Sequence, residues 1–207
     1  MEREPDNKRN ETEQPVRARR TEGKRVAPRQ PRQEEGSEMY QNIRTLACVL
    51  IVLILVFTFA LRLIVVSGPS MESTLHNGDT MLVWSLGYEP EQGDVIVLTK
   101  KSYQEDSIVK RVIAVGGQTV DIDYDANTVY VDGVALEEDY IKESMQVPSY
   151  GDVINHVTVP EGCLFVMGDN RNMSADSRYP SIGIVDERCI IGQVVMVLFP
   201  FHSFGTV

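Results

Sequence analysis

Apolar and polar positions follow three different rhythms along this chain. Residues 1–38 are rich in Glu, Arg, Gln and Pro and hold almost no aliphatic side chains. Such a segment cannot bury enough apolar surface to offset the entropy of ordering, which predicts a disordered tail over residues 1–44. From Thr45 to Val66 nearly every position is apolar, and Arg62 is the only charge. Residues 46–66 number 21, enough to cross a hydrocarbon core of roughly 30 Å as a helix rising about 1.5 Å per residue. Arg62 lies near one end, where a long side chain can reach the interface. A cleaved signal peptide fits less well, because over forty residues precede the run and no Ala-x-Ala follows.

Beyond Asp79 the rhythm shortens to period two. Residues 80–84, 94–98, 108–115, 157–159, 164–167 and 190–197 read as short strands. Residues 119–134 alternate through Val120, Ile122 and Tyr124, turn at Asp125-Ala126-Asn127, and resume at Val129-Tyr130-Val131 before Asp132-Gly133. Residues 148–155 read as a surface loop. Short strands punctuated by Gly and Asp turns predict a mostly antiparallel β domain over residues 67–207. At the C-terminal end, Pro200 should stop the last strand and leave Phe201 and Phe204 on an exposed turn, with Phe199 beside them.

Charge sharpens this division. Residues 1–44 carry eleven Lys/Arg against nine Asp/Glu, and the rest of the chain nine against twenty-one, within a net charge of −10. The acidic domain argues against a nucleic-acid partner, which selects basic faces. Arg25, Arg29, Arg32 and Arg44 precede the apolar run and Arg62 alone follows it closely, so the positive-inside bias places the N-terminus in the cytoplasm and residues 67–207 outside. Cys163 and Cys189 could pair in an extracytoplasmic domain or remain reduced and packed. No Cys-x-x-Cys or His-Glu-x-x-His spacing supports a metal site. Nothing in the sequence signals an oligomeric state.

The candidate chemistry centres on Ser70 and Lys110. A serine needs a base to act as a nucleophile at neutral pH. No Gly-x-Ser-x-Gly elbow is present and no His falls in an evident triad, so a lysine kept neutral by an apolar site is the candidate base. Lys110 sits in Ile108-Val109-Lys110-Arg111-Val112-Ile113, where alternation puts it and Arg111 on opposite faces, so one of them faces the interior. Ser107 and Lys110 also spell Ser-x-x-Lys, but that motif needs a helix, and its Lys-Thr-Gly and Ser-Asp-Asn partners are missing. Residues 168–178, Gly-Asp-Asn-Arg-Asn-Met-Ser-Ala-Asp-Ser-Arg, read either as a solvated turn or as a polar network behind an active site.

Together these segments resemble the type I signal peptidases. Residues 67–75 resemble that family's Ser-Met-x-Pro-Thr-Leu box; Gly93-Asp94-Val95-Ile96 is similar to its Gly-Asp box. Lys110-Arg111-Val112-Ile113 with Gly116-Gly117 resembles the box holding the base. Gly168-Asp169-Asn170-Arg171 with Ser174, Asp176, Ser177 and Arg178 resembles the most specific box. Four boxes in order after one span, with Lys rather than His as base, point to the compact bacterial branch. The resemblance implies a membrane-bound serine endopeptidase that cleaves signal peptides from preproteins after an Ala-x-Ala-like site, without cofactor or metal. Ser70 would be the nucleophile and Lys110 the general base. Ser174 would orient the Lys110 amine, and Asp176 and Arg178 would brace the loop. Met71 and Leu75 are candidates for lining the substrate pocket. Two positions depart from the pattern: Ser73 stands where Pro is usual, and Gly68 stands where some members place an oxyanion-hole serine, leaving the Ser70 N–H as the expected donor. The lipid bilayer is the second expected partner. Two other readings share some features: a self-cleaving Ser-Lys domain of the SOS-repressor type, and a membrane-anchored binding module without catalysis.

Overall fold

The computed structural model describes residues 35–100, 106–147 and 152–207. Of the expected tail over 1–44, residues 1–34 lie outside the described residues and 35–44 are helical; residues 148–151, the first half of the expected loop at 148–155, also lie outside them. The chain divides into two compact units, residues 1–43 and 44–207.

Helix α1 runs Glu35–Phe59. It starts earlier than the apolar run because nothing between Ser37 and Arg44 breaks a helix, and those residues form helix readily. Within it, Glu38–Phe59 is long and apolar enough to cross a membrane, with none of its most apolar window buried against protein. The expected helix over 45–66 is therefore corrected at both ends. Residues Leu61–Val65 are not helical but form strand β1, the edge of a sheet. The reason is a change of rhythm after Phe59. Ile64 and Val66 turn inward to one core, Leu63 and Val65 face out, and β-branched side chains favour this pleated arrangement.

The remaining strands are β2 (Thr80–Trp84), β3 (Val95–Thr99), β4 (Ser107–Val115), β5 (Thr119–Asp123), β6 (Thr128–Val131), β7 (Val134–Ala135), β8 (His156–Thr158), β9 (Cys163–Met167), β10 (Val185–Asp186), β11 (Ile190–Phe199) and β12 (Gly205–Thr206). One sheet has the order β1-β2-β11-β3-β4-β9-β10, with β12 added to β11; a second has the order β7-β6-β5-β8. Every pairing is antiparallel. The fold is mostly β, as the period-two pattern indicated. Sequence reading missed β1, absorbed into the apolar run, and the two-residue strands β7, β10 and β12, too short to show a period.

Strand β4 is the axis of the site. It lies between β3 and β9, pairing Lys110 with Ile96 on one side and Arg111 with Met167 on the other. Its neighbours β3 and β9 read Val-Ile-Val-Leu and Leu-Phe-Val-Met, buried on both faces. An interior strand between such neighbours leaves no room for Lys110 and Arg111 to reach solvent, and both are buried. Cys163 and Cys189 are free thiols.

Candidate active site

Ser70 lies in a tight turn that follows β1. Gly68 takes a φ of +99°, a left-handed conformation that favours glycine. Its N–H donates to Asn77 Oδ1 at 3.0 Å. The chain then turns at Pro69 and closes a helical turn, with Thr74 and Leu75 N–H both donating to the Met71 carbonyl at 2.9 and 2.8 Å. Met71 and Leu75 are the anchors of this turn, both buried in the core beneath it with Met81, Val83, Val95 and Val97.

Anchored this way, Ser70 Oγ lies 2.8 Å from Lys110 Nζ. The amine also donates to the Val109 carbonyl at 2.9 Å. Lys110 is only 3% exposed. Burial disfavours its charged form and lowers its pKa to about 8, against the opposing pull of the Asp176 and Asp169 carboxylates. An amine with that pKa keeps an appreciable neutral fraction near physiological pH and becomes mostly neutral above about 8; in its neutral form it can accept a serine proton.

Behind this pair the buried residues are polar. Arg111 Nε and Nη2 donate to the two oxygens of Asp169 at 2.9 and 2.7 Å, and Nη1 donates to the Gly93 carbonyl at 2.8 Å. Thr74 Oγ1 donates to Asp169 Oδ2 at 2.5 Å, tying the Ser70 turn to the same carboxylate. Asp176 accepts from Arg178 Nε at 2.8 Å and Nη2 at 2.9 Å, and from the Gly168 N–H at 3.1 Å. Arg178 Nη2 also donates to the Arg171 carbonyl at 2.6 Å. Asp169, Asp176, Ser177 and Arg178 are fully shielded from solvent. The arrangement answers the two readings of residues 168–178: it is a buried network and not a solvated turn.

Other expected positions fare differently. Ser174 is buried, but its hydroxyl has no hydrogen-bond partner and does not hold the Lys110 amine; the Val109 carbonyl occupies that role. The Ser174 side chain and the Ser70 carbonyl instead both crowd Gly168, so closely that a side chain at position 168 would collide with each. Gly68 contributes no hydroxyl, and its N–H is engaged by Asn77. Met71 lines the cleft beside Ser70, whereas Leu75 does not reach it and belongs to the core alone. Ser73 donates its hydroxyl to the Tyr140 carbonyl at 3.3 Å.

That last contact belongs to a feature sequence reading missed. Residues 138–146 strap across the network. Tyr140 stacks on Arg111, with the guanidinium carbon 4.0 Å from the ring centre. Its hydroxyl donates to Glu138 at 3.0 Å, and Glu138 forms a buried ion pair with Arg171. Lys142 pairs with Glu72 at 2.7 Å, and its N–H donates to the Asp169 carbonyl at 3.2 Å. The only signal was the spacing of Glu138, Tyr140 and Lys142 by two, too brief within an irregular segment to assign.

The cleft at Ser70 has a volume of about 420 Å³. Ile64–Val66 after and within β1 form one wall, and Ser107–Val109 of β4 form the other. A larger, shallower hollow of about 580 Å³ on the second sheet, lined by Asp121, Asp123, Asp125 and His156 among others, holds no such serine and amine. Among the described residues, no three His, Cys, Asp or Glu side chains gather as metal ligands.

A membrane-type helix leading into a β domain whose cleft pairs a serine with a neutral-capable lysine defines a class of hydrolase, and comparison with known proteins narrows it. Residues 39–199 match the family model described as signal peptidase, peptidase S26. The chain is similar to signal peptidase I of Bacillus licheniformis, 31% identical over 81% of this chain and 92% of that one. It is similar to signal peptidase IB of Staphylococcus aureus, 32% identical over 81% and 93% of the two chains. It is also similar to a probable signal peptidase I-1 of Synechocystis, 36% identical over 80% and 85%. A crystal structure of a signal peptidase I from Enterococcus faecalis aligns over 52% of this chain and 97% of that one, with 31% identity and a TM-score of 0.41. The chain belongs to the signal peptidase family, peptidase S26, and is a type I enzyme.

Proposed function

We propose that this enzyme removes signal peptides from exported preproteins with Ser70 as nucleophile and Lys110 as general base. The observation that carries the reading is the 2.8 Å approach of Lys110 Nζ to Ser70 Oγ at a buried amine whose pKa is about 8. Neutral Lys110 takes the hydroxyl proton as Ser70 Oγ attacks the scissile carbonyl carbon. The carbonyl oxygen becomes an oxyanion, stabilised by the Ser70 N–H. The lysinium then protonates the departing amine as the C–N bond breaks, leaving an acyl-enzyme. Water, deprotonated by the same amine, attacks the ester and releases the signal peptide. The Arg111–Asp169 and Asp176–Arg178 pairs hold the surrounding loops without taking part in bond changes.

The preprotein lies extended between the 64–66 and 107–109 walls, its small side chains before the cut seated beside Met71. Helix α1 crosses the bilayer with its N-terminus in the cytoplasm and residues 60–207 outside. The aromatic residues Phe199, Phe201 and Phe204, with Leu63 and Val65, rest against lipid headgroups. The test is direct. The full chain in detergent micelles is incubated with a preprotein, and the new N-terminus of the product is sequenced. Cleavage after Ala-x-Ala, lost in Ser70→Ala, supports the reading. Undiminished cleavage by Ser70→Ala contradicts it.

A further inference from the structure

Asn170 grips the peptide unit on which the nucleophile is mounted. It is 1% exposed. Its Nδ2 donates to the Pro69 carbonyl at 3.1 Å, and its backbone N–H donates to the Ser70 carbonyl at 3.1 Å. One residue thus holds two successive carbonyls, before and after the Ser70 α-carbon. The chemistry described above assigns Asn170 no part.

The geometry points to Asn170 as a positioning residue that aims the Ser70 N–H at the oxyanion, a role that rests on the reading of Ser70 as nucleophile. A trans peptide is planar, with its C=O and N–H pointing in opposite directions. The Pro69–Ser70 bond is trans. Whatever fixes the Pro69 carbonyl therefore fixes the direction of the Ser70 N–H, on the side away from Asn170. Proline has its φ locked by its ring, so the rotation left to set this plane is ψ of Pro69. Two donors set it. Glu72 N–H closes the turn onto the Pro69 carbonyl at 3.2 Å, and the Asn170 amide reaches the same oxygen from the other loop.

Two further observations agree. The Ser70 N–H donates to no acceptor among the described residues, which leaves it free for a developing oxyanion. Asn170 Oδ1 is buried and has no hydrogen-bond partner. Turning the amide over would oppose Oδ1 to the Pro69 oxygen, so the donor side is the one the site uses. A buried acceptor left unpaired costs stability, and that cost falls on the side chain that grips the nucleophile.

The test separates transition-state from ground-state binding. Two probes are a small-residue peptide aldehyde ending where the scissile bond lies and the matching peptide alcohol. The aldehyde carbon bonds to Ser70 Oγ, the serine proton passes to Lys110, and the aldehyde oxygen becomes the oxyanion; the alcohol binds without this step. Variants Asn170→Ala and Asn170→Asp, in the full chain in micelles, each remove the Nδ2 donor, the second while keeping the side chain's shape. Expected is a loss of roughly 10–100-fold in aldehyde affinity and in kcat, with KM and alcohol affinity within about twofold of wild type. Asn172→Ala, which loses contacts only to Ser144 and Gln146, should leave both affinities unchanged. If a folded Asn170→Asp keeps the wild-type preference for aldehyde over alcohol, the proposal is overturned. Equal losses for both probes overturn it too, since they show a general loosening. A wild-type chain that does not prefer the aldehyde at all contradicts the Ser70 reading itself and takes this proposal with it.

Discussion

Two regions of this molecule invert the usual distribution of side chains, in opposite senses. Behind Ser70, Asp169, Asn170, Arg171, Asp176, Ser177 and Arg178 are buried. At the far end of β11, Phe199, Phe201 and Phe204 stand 56%, 83% and 58% exposed. Phe199 and the exposed Val65 flank Thr80 on either side in the same sheet. Buried charges are expensive unless paired, and exposed aromatic clusters are rare on a purely soluble surface. Each inversion has its own compensation. The buried charges are each paired, Asp169 with Arg111, Arg171 with Glu138 and Asp176 with Arg178, and they fix the loops around one serine. The exposed groups belong to a domain that follows a membrane-type helix, and under the proposed function the bilayer surface is their neighbour. The contrast teaches that the violations of burial, more than the regular strands, mark what the molecule is for.

The largest expected effect lies at the dyad. Ser70→Ala and Lys110→Ala should each lower the rate of preprotein cleavage by roughly a thousandfold or more, and the double variant should be little worse, since the two groups act as a unit. Initial rates on a purified preprotein measure this, and independent, multiplying losses would break the pair apart.

Next comes the buried network. Asp169→Ala should destabilise the domain by about 3–5 kcal/mol by stranding the Arg111 guanidinium. Arg111→Met with Asp169→Leu should recover most of that loss in a denaturant titration while activity stays low. Recovered activity would mean that the charges serve stability alone. This side of the comparison was half legible in the sequence. The polar density of residues 168–178 announced a network, and Ser70 and Lys110 stood out by their setting. The partner of Asp169 did not, because Arg111 is a neighbour of Lys110 and alternation appeared to leave only one of the two inside. Nor did the Tyr140 strap, whose irregular backbone has no period to read. Ser174 was assigned to Lys110 by resemblance, yet the amine reaches the Val109 carbonyl within its own strand.

A smaller effect tests the boundary between helix and domain. The apolar run hid β1 because lipid-facing helix and half-buried strand share the same residues, and only the switch of rhythm after Phe59 separates them. A soluble fragment beginning at Ala60 should be more stable than one beginning at residue 67 by about 2–4 kcal/mol, reflecting the buried Val66 and half-buried Ile64 side chains. Equal melting curves would show β1 to be dispensable.

The smallest effect on folding, and the one that isolates the exposed region, is Phe201→Ser with Phe204→Ser in the fragment beginning at Ala60. Its stability should change by less than about 0.5 kcal/mol. Sedimentation with lipid vesicles should fall roughly tenfold or more, as expected for losing burial of two aromatic rings. Unchanged vesicle binding would detach this surface from the bilayer.

The central claim is that Lys110 acts as a buried free base, and the pH dependence of single-turnover cleavage tests it most directly. The pKa of Lys110 is lowered to about 8 by burial. The amine is therefore protonated and inert below that value and becomes competent as pH rises through it. The rate should climb about tenfold per pH unit at acidic and neutral pH and level off above about 8. Folding stability should also rise between about 8 and 10.5, because the unfolded lysine still binds the proton that the folded one has released. A rate that is flat across this range, or that falls as pH rises through 8, would contradict the account.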